Sequence, residues 1–141
     1  MIDDPIEASD YRILANFRYS LRRFLHFSEE AATAVGLTPQ QHQTLLFTKA
    51  SQDGPGVNVG DLAEWLQIKS HSAAELAGRL ESLQLLERHS DPQDRRRTLL
   101  SLTERGEALL QELTRAHRRE LQRFKEPVSQ LLAILEGEPL V

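Results

Sequence analysis

The sequence predicts a mainly α-helical chain carrying one small β-hairpin, and three observations support that expectation. Apolar residues recur at three- and four-residue spacing through most of the 141 residues. The β-compatible runs are two short ones, 85–89 and 98–102, on either side of the polar stretch Ser90-Asp91-Pro92-Gln93-Asp94-Arg95-Arg96-Arg97. Cysteine is absent, so disulfides, thiolate chemistry and cysteine-based zinc sites are excluded and packing must hold the fold. A chain that is 40% hydrophobic and 27% charged falls in the range of one ordinary domain with a buried core. Its start, Asp3-Asp4-Pro5, lacks the basic-then-apolar order of a secretory leader, and no apolar run approaches the ~20 residues of a membrane span. The expectation is a cytoplasmic protein with no membrane partner.

The first helix should run from about Ser9 to Val35, its stripe made of Ile13, Phe17, Leu21 and Phe24 with Leu14 and Leu25 beside them, and Gly36 is its expected stop. Thr38-Pro39 combines a cap with a first-turn proline and starts a second helix to about Ala50, which Asp53-Gly54-Pro55-Gly56 ends. Asn58 caps a short third helix through Leu62 and Leu66. After a turn at Ile68-Lys69-Ser70, a fourth helix buries Ala73, Leu76, Ala77, Leu80 and Leu83. Two short helices joined by a tight turn, the second longer, form the pattern of a helix-turn-helix. The hairpin with its basic tip follows, and Thr103 caps a long helix with the stripe Leu110, Leu113, His117, Leu121 and Phe124. Pro127 should break or kink that helix before a last one carrying Leu131, Ile134 and Leu135.

Three phrases stand in order: Asp61-Leu62-Ala63-x-x-Leu66, Asp91-Pro92-x-Asp94-Arg95-Arg96 and Leu102-Thr103-x-x-Gly106. With this element order they make essentially the whole chain resemble the winged helix-turn-helix of the multiple-antibiotic-resistance regulator (MarR) family. The resemblance implies a mainly α fold with a β-hairpin wing and with N- and C-terminal dimerisation helices. Residues 1–37 would be the first dimerisation segment, 38–103 the DNA-reading lobe and 104–141 the closing dimerisation helices. It also implies a sequence-specific, double-stranded-DNA-binding transcriptional regulator, a homodimer on a near-palindromic operator, acting as a ligand-released repressor. One departure is Gln84, where the family commonly has glycine, so a left-handed helix end there would cost roughly 1 kcal/mol.

On this reading Lys69, Ser70, His71, Ser72, Glu75 and Arg79 lie on the fourth helix's free face or its start and meet DNA. Glu75 either reads cytosine's amino group or pairs with Arg79 one turn later. Arg95, Arg96 and Arg97 taken alone would be a solvated charge run; beside a helix-turn-helix they become minor-groove candidates. Asp94, two residues before Arg96, is placed to orient its guanidinium. The expected dimer interface is Phe17, Leu21, Phe24, Leu110, Leu113, Leu121 and Phe124. His117 sits on the same stripe as an interface histidine, and Trp65 lies off its helix's stripe with partial burial.

His71 and Glu75 are one turn apart but lack a third ligand at suitable spacing, so no metal or other cofactor is expected. No nucleophile elbow, phosphate-cradling loop or metal motif points to an enzyme. A net charge of -4, and seven Lys/Arg against six Asp/Glu between Gln67 and Gly106, keep a second function open: a winged-helix module that binds a protein and not DNA. With no thiol to oxidise, the expected signal is a small aromatic or phenolic acid bound between dimer body and DNA lobe, with Arg12, Arg18 or Arg105 as carboxylate partners.

Overall fold

In a computed structural model that describes residues 3–137, the order is α1 (Ala8–Ala34), α2 (Pro39–Ala50), α3 (Val59–Leu66), α4 (Ser70–Ser82), β1 (Leu86–Ser90), β2 (Thr98–Leu102), α5 (Glu104–Leu121), a 3-10 turn (Gln122–Phe124) and α6 (Lys125–Glu136). Mainly helical content with a two-stranded antiparallel hairpin is the expected class. The chain forms two compact units, one from its two ends, up to Ala31 and from Arg115, the other from Ala32–Thr114. The start of α5 belongs with the helix-turn-helix unit, because Leu110 and Leu113 are buried and Lys49 Nζ pairs with Glu107 Oε1 at 2.7 Å.

In that unit local signals define each helix. Thr38 Oγ1 accepts the Gln41 N–H and Gln41 Oε1 accepts the Thr38 N–H, a reciprocal cap before the Pro39 turn. Asn58 and Asp61 repeat the device for α3. Leu45, Leu62, Leu80 and Leu86 are fully buried. A core of Val57, Leu62, Ala63, Ala73, Ala77 and Leu100 is covered by Phe47, Val59, Leu66 and Ile68. Leu83, expected in the α4 stripe, is 41% exposed instead, because the helix has ended at Ser82 and the chain is turning.

That turn retains the left-handed residue although it is not glycine: Gln84 has φ +60°. Its N–H bonds the Glu81 carbonyl at 2.9 Å and the Leu85 N–H reaches back to the Leu80 carbonyl at 2.9 Å. These are the paired bonds of a Schellman ending, and buried Leu80 and Leu85 provide its apolar contact. Gln84→Gly should therefore raise stability by about 0.5–1 kcal/mol, the left-handed penalty less the added freedom of the unfolded chain. A urea midpoint equal to or below wild type would contradict this.

The other unit joins α1 to the C-terminal helices. Phe124 meets Phe17 and Phe24 edge-on at centroid distances of 5.9 and 5.7 Å, and His117 lies edge-on between Phe24 and Phe27 with Nε2 2.8 Å from Ser28 Oγ. These contacts are internal to one chain. Of the residues expected between subunits, Leu110 and Leu113 are buried in the chain itself, and Phe17, Phe24 and Phe124 pack on one another. Only Leu21 and Leu121 of that set are largely exposed, at 38% and 47%. Helical spacing identifies a covered face without saying which molecule covers it. The expected break at Pro127 falls earlier, in the 3-10 turn at Gln122–Phe124. A proline ring collides with the carbonyl four residues upstream, here Arg123, so the departure from α geometry appears there.

Candidate nucleic-acid interface

The helix-turn-helix closes through a second left-handed glutamine. Gln67 has φ 55°, its N–H bonds the Glu64 carbonyl at 3.2 Å, and the Ile68 N–H bonds the Ala63 carbonyl at 3.0 Å. The turn is thus Gln67–Lys69, one residue ahead of the expected Ile68–Ser70. With Ala73, Ala77 and Leu80 packed inward, His71, Glu75 and Arg79 stand exposed on the other side of α4 and Ser72 is half-buried. Lys69 is the N-cap, extended and without a side-chain hydrogen bond to the helix, so neither serine caps α4. Its first N–H groups are left open to an incoming acceptor. Among the described residues no ion pair joins Glu75 to Arg79.

In the hairpin, Leu86 pairs with Leu102 and Ser90 with Thr98, and the Leu100 N–H bonds the Val57 carbonyl at 2.8 Å on the other side of β2. Only Leu86 of β1 is buried. The connecting loop closes on itself: the Asp91 N–H bonds the Arg97 carbonyl, and the Arg97 N–H bonds the Asp94 carbonyl, both at 2.9 Å. Buried Asp91 accepts the Gln93 N–H. Asp94 Oδ1 accepts from the Arg96 N–H at 3.1 Å and from Arg96 Nε at 3.2 Å, while the Arg96 side chain remains 93% exposed. Arg95 is exposed as well.

Arg97 requires a correction. Expected with its neighbours among the DNA-facing arginines, it is turned into the protein, with Nη2 donating to Asp61 Oδ2 at 2.8 Å. Longer contacts run to the Pro55 and Gly56 carbonyls at 3.4 and 3.5 Å, and its Nη1 is 3.9 Å from Asp91 Oδ2. The physical reason is that Asp61, already fixed by the α3 cap, presents a carboxylate to the end of the hairpin loop. Spacing along the sequence does not identify Asp61 as a hairpin partner, because Arg97 lies 36 positions away. Thr103 and Gly106 are structural, since Thr103 Oγ1 accepts the Gly106 N–H at 3.0 Å and donates to the Gln84 carbonyl at 2.7 Å.

Trp65, 48% exposed, stacks on Phe47 at 4.5 Å and 10° beside a groove of about 740 Å³ between the Gly54–Val57 segment and α3. Among the described residues no group of three or more acidic or histidine side chains could hold a metal ion, and no helix is long and apolar enough to cross a membrane. Glu81 is paired with Arg88 of β1 at 3.2 Å and Glu107 with Lys49 at 2.7 Å.

Comparison with known proteins agrees with this architecture. Residues 35–97 match the model of the MarR family. MepR, described as a transcription regulator of the Staphylococcus aureus multidrug efflux pump MepA, is 25% identical with a TM-score of 0.72, covering 86% of this chain and 91% of its own. A complex of S. aureus MepR with DNA is 25% identical with a TM-score of 0.68, covering 86% and 89%. RV1404 from Mycobacterium tuberculosis is 25% identical with a TM-score of 0.68, covering 97% and 99%. No curated protein sequence gives a significant match.

Proposed function

We propose that the chain, whose residues 35–97 match the MarR-family model, is a winged helix-turn-helix transcription regulator of that family, and that it binds a near-palindromic operator as a homodimer and represses until a small ligand releases it. The observation that carries the DNA assignment is Arg96, almost wholly exposed at the hairpin tip and held by Asp94. It lies in the same compact unit as the exposed face of α4. Here α4 enters the major groove with His71, Ser72, Glu75 and Arg79. Lys69 and the open start of the helix take a phosphate, and Arg95 and Arg96 reach the adjacent minor groove. A MepR–DNA complex among the similar structures supports the same use of the fold. Glu75, free of Arg79, is assigned to cytosine's amino group.

Homodimerisation is supported by the unit built from the chain's ends, where Tyr11, Leu14, Leu121, Leu132 and Leu135 are 47–69% exposed. So much apolar side chain on one small helical unit is expected to be covered by a second copy. Sedimentation should find a dimer at micromolar concentration; a stable monomer would remove the two-fold operator from the proposal. In the absence of cysteine, the releasing signal is proposed to be an aromatic or phenolic acid that prefers a dimer shape unable to span two successive major grooves.

A mobility-shift titration tests the whole reading, using a duplex selected by the protein from a randomised pool. Binding should weaken steeply with salt because several phosphates are neutralised in each half-site. No selected sequence, or a flat salt response, would favour the protein-binding alternative.

A further inference from the structure

We propose that Asp61 is a positioning residue for the hairpin's DNA contact: acting through Arg97, it sets where Arg96 stands relative to α4. The inference deepens the DNA-binding reading above and rests on it. The Asp61 carboxylate is fixed before it meets Arg97, since Oδ2 accepts the Asn58 N–H at 3.0 Å in the reciprocal cap and the Asp61 N–H bonds Asn58 Oδ1 at 2.8 Å. The same Oδ2 takes Arg97 Nη2 at 2.8 Å. On the other side, backbone bonds at both ends of Arg97 close the 91–97 loop, and Arg96 is the covalent neighbour of Arg97.

The loop that carries Arg96 therefore moves with Arg97. Beside the Arg97–Asp61 bond, the Leu100–Val57 backbone bond ties β2 to the segment entering α3. One bond defines a pivot and two define an orientation. Without the second, Arg96 samples more positions in the free protein and loses more freedom when it enters a groove.

The proposal opposes simple electrostatics in sign. Neutralising an aspartate on a DNA-binding unit should tighten binding if charge alone matters. If Asp61 positions the hairpin, Asp61→Asn should instead weaken binding about three- to tenfold. The experiment uses the full chain, the duplex selected by the wild-type protein, and the same duplex trimmed of the outer base pairs that the hairpin reaches. Three outcomes are expected together. Asp61→Asn and Arg97→Met each weaken binding to the long duplex, the double variant is no weaker than the worse single one, and the loss disappears on the trimmed duplex. Arg97→Met leaves the Asn58–Asp61 cap intact and so separates hairpin placement from α3 stability, which thermal melting monitors in parallel. A merely structural role would move both duplexes equally and would overturn the proposal. So would Asp61→Asn binding as tightly as wild type, or effects of the two substitutions that add. Failure of the wild-type chain to select any duplex would overturn the DNA reading itself, and is seen before any variant is made.

Discussion

Gly106→Ala is expected to destabilise the protein by about 2–3 kcal/mol. A Cβ at this position would overlap the Leu85 carbonyl oxygen and press on the Leu85 carbonyl carbon and Cα, at 3.1 and 3.3 Å. The obstacle is backbone, so no rotamer change relieves it. That backbone is itself held, because the same Leu85 oxygen accepts the Thr103 N–H at 3.1 Å and the Leu85 N–H closes the end of α4. Alanine's better helix propensity returns only about 1 kcal/mol, so the clash wins. The urea midpoint should fall with the slope unchanged; a midpoint at or above the wild-type value would show that α5 docks on the hairpin base less closely than described here.

Arg96→Ala is expected to weaken DNA binding by about 1–3 kcal/mol, roughly 5- to 150-fold, and to flatten the salt dependence. Its fold should be untouched, because a side chain 93% exposed contributes no packing. An unchanged thermal midpoint alongside weakened binding separates this variant from Gly106→Ala. Asp94→Ala should lose part of the same affinity, since it removes the 3.2 Å bond to Nε and leaves the charge. Arg96→Ala binding as tightly as wild type would transfer the minor-groove role to Arg95 or remove it.

What the sequence revealed was mostly local. Thr38-Pro39 and Asn58 predict helix starts because a cap and its partner are three residues apart, within reach of any reading of spacing. Gly36, at φ +83°, ends α1 where expected, with the Leu37 N–H reaching back to the Ala32 carbonyl. Arg96 and Asp94 could be paired because two residues separate them. Arg97 could not be separated from its neighbours by the same logic. Three successive arginines look alike in a string of letters, and what distinguishes the third is a carboxylate supplied by α3. Leu110 and Leu113 show the matching limit for apolar residues: a stripe predicts burial, and they are buried, but in their own chain. Gln84 and Gln67 show that a left-handed position need not be occupied by the residue that fits it most cheaply.

The hairpin also limits how copies of this protein can associate. With Val57 on one side of β2 and β1 on the other, β1 is left as an open sheet edge. Unpaired strand edges template the addition of further strands, and with it aggregation. This edge is five residues long, only its first side chain is buried, and Glu87, Arg88 and His89 fill its middle. A strand docking there would have to strip water from those charged and polar side chains and would find almost no apolar surface in return. This strand edge thus differs in kind from the exposed apolar side chains of α1 and α6, because it offers a docking strand charge and not apolar surface. Crowding the protein to high concentration should therefore leave it free of fibrils built edge to edge through β1.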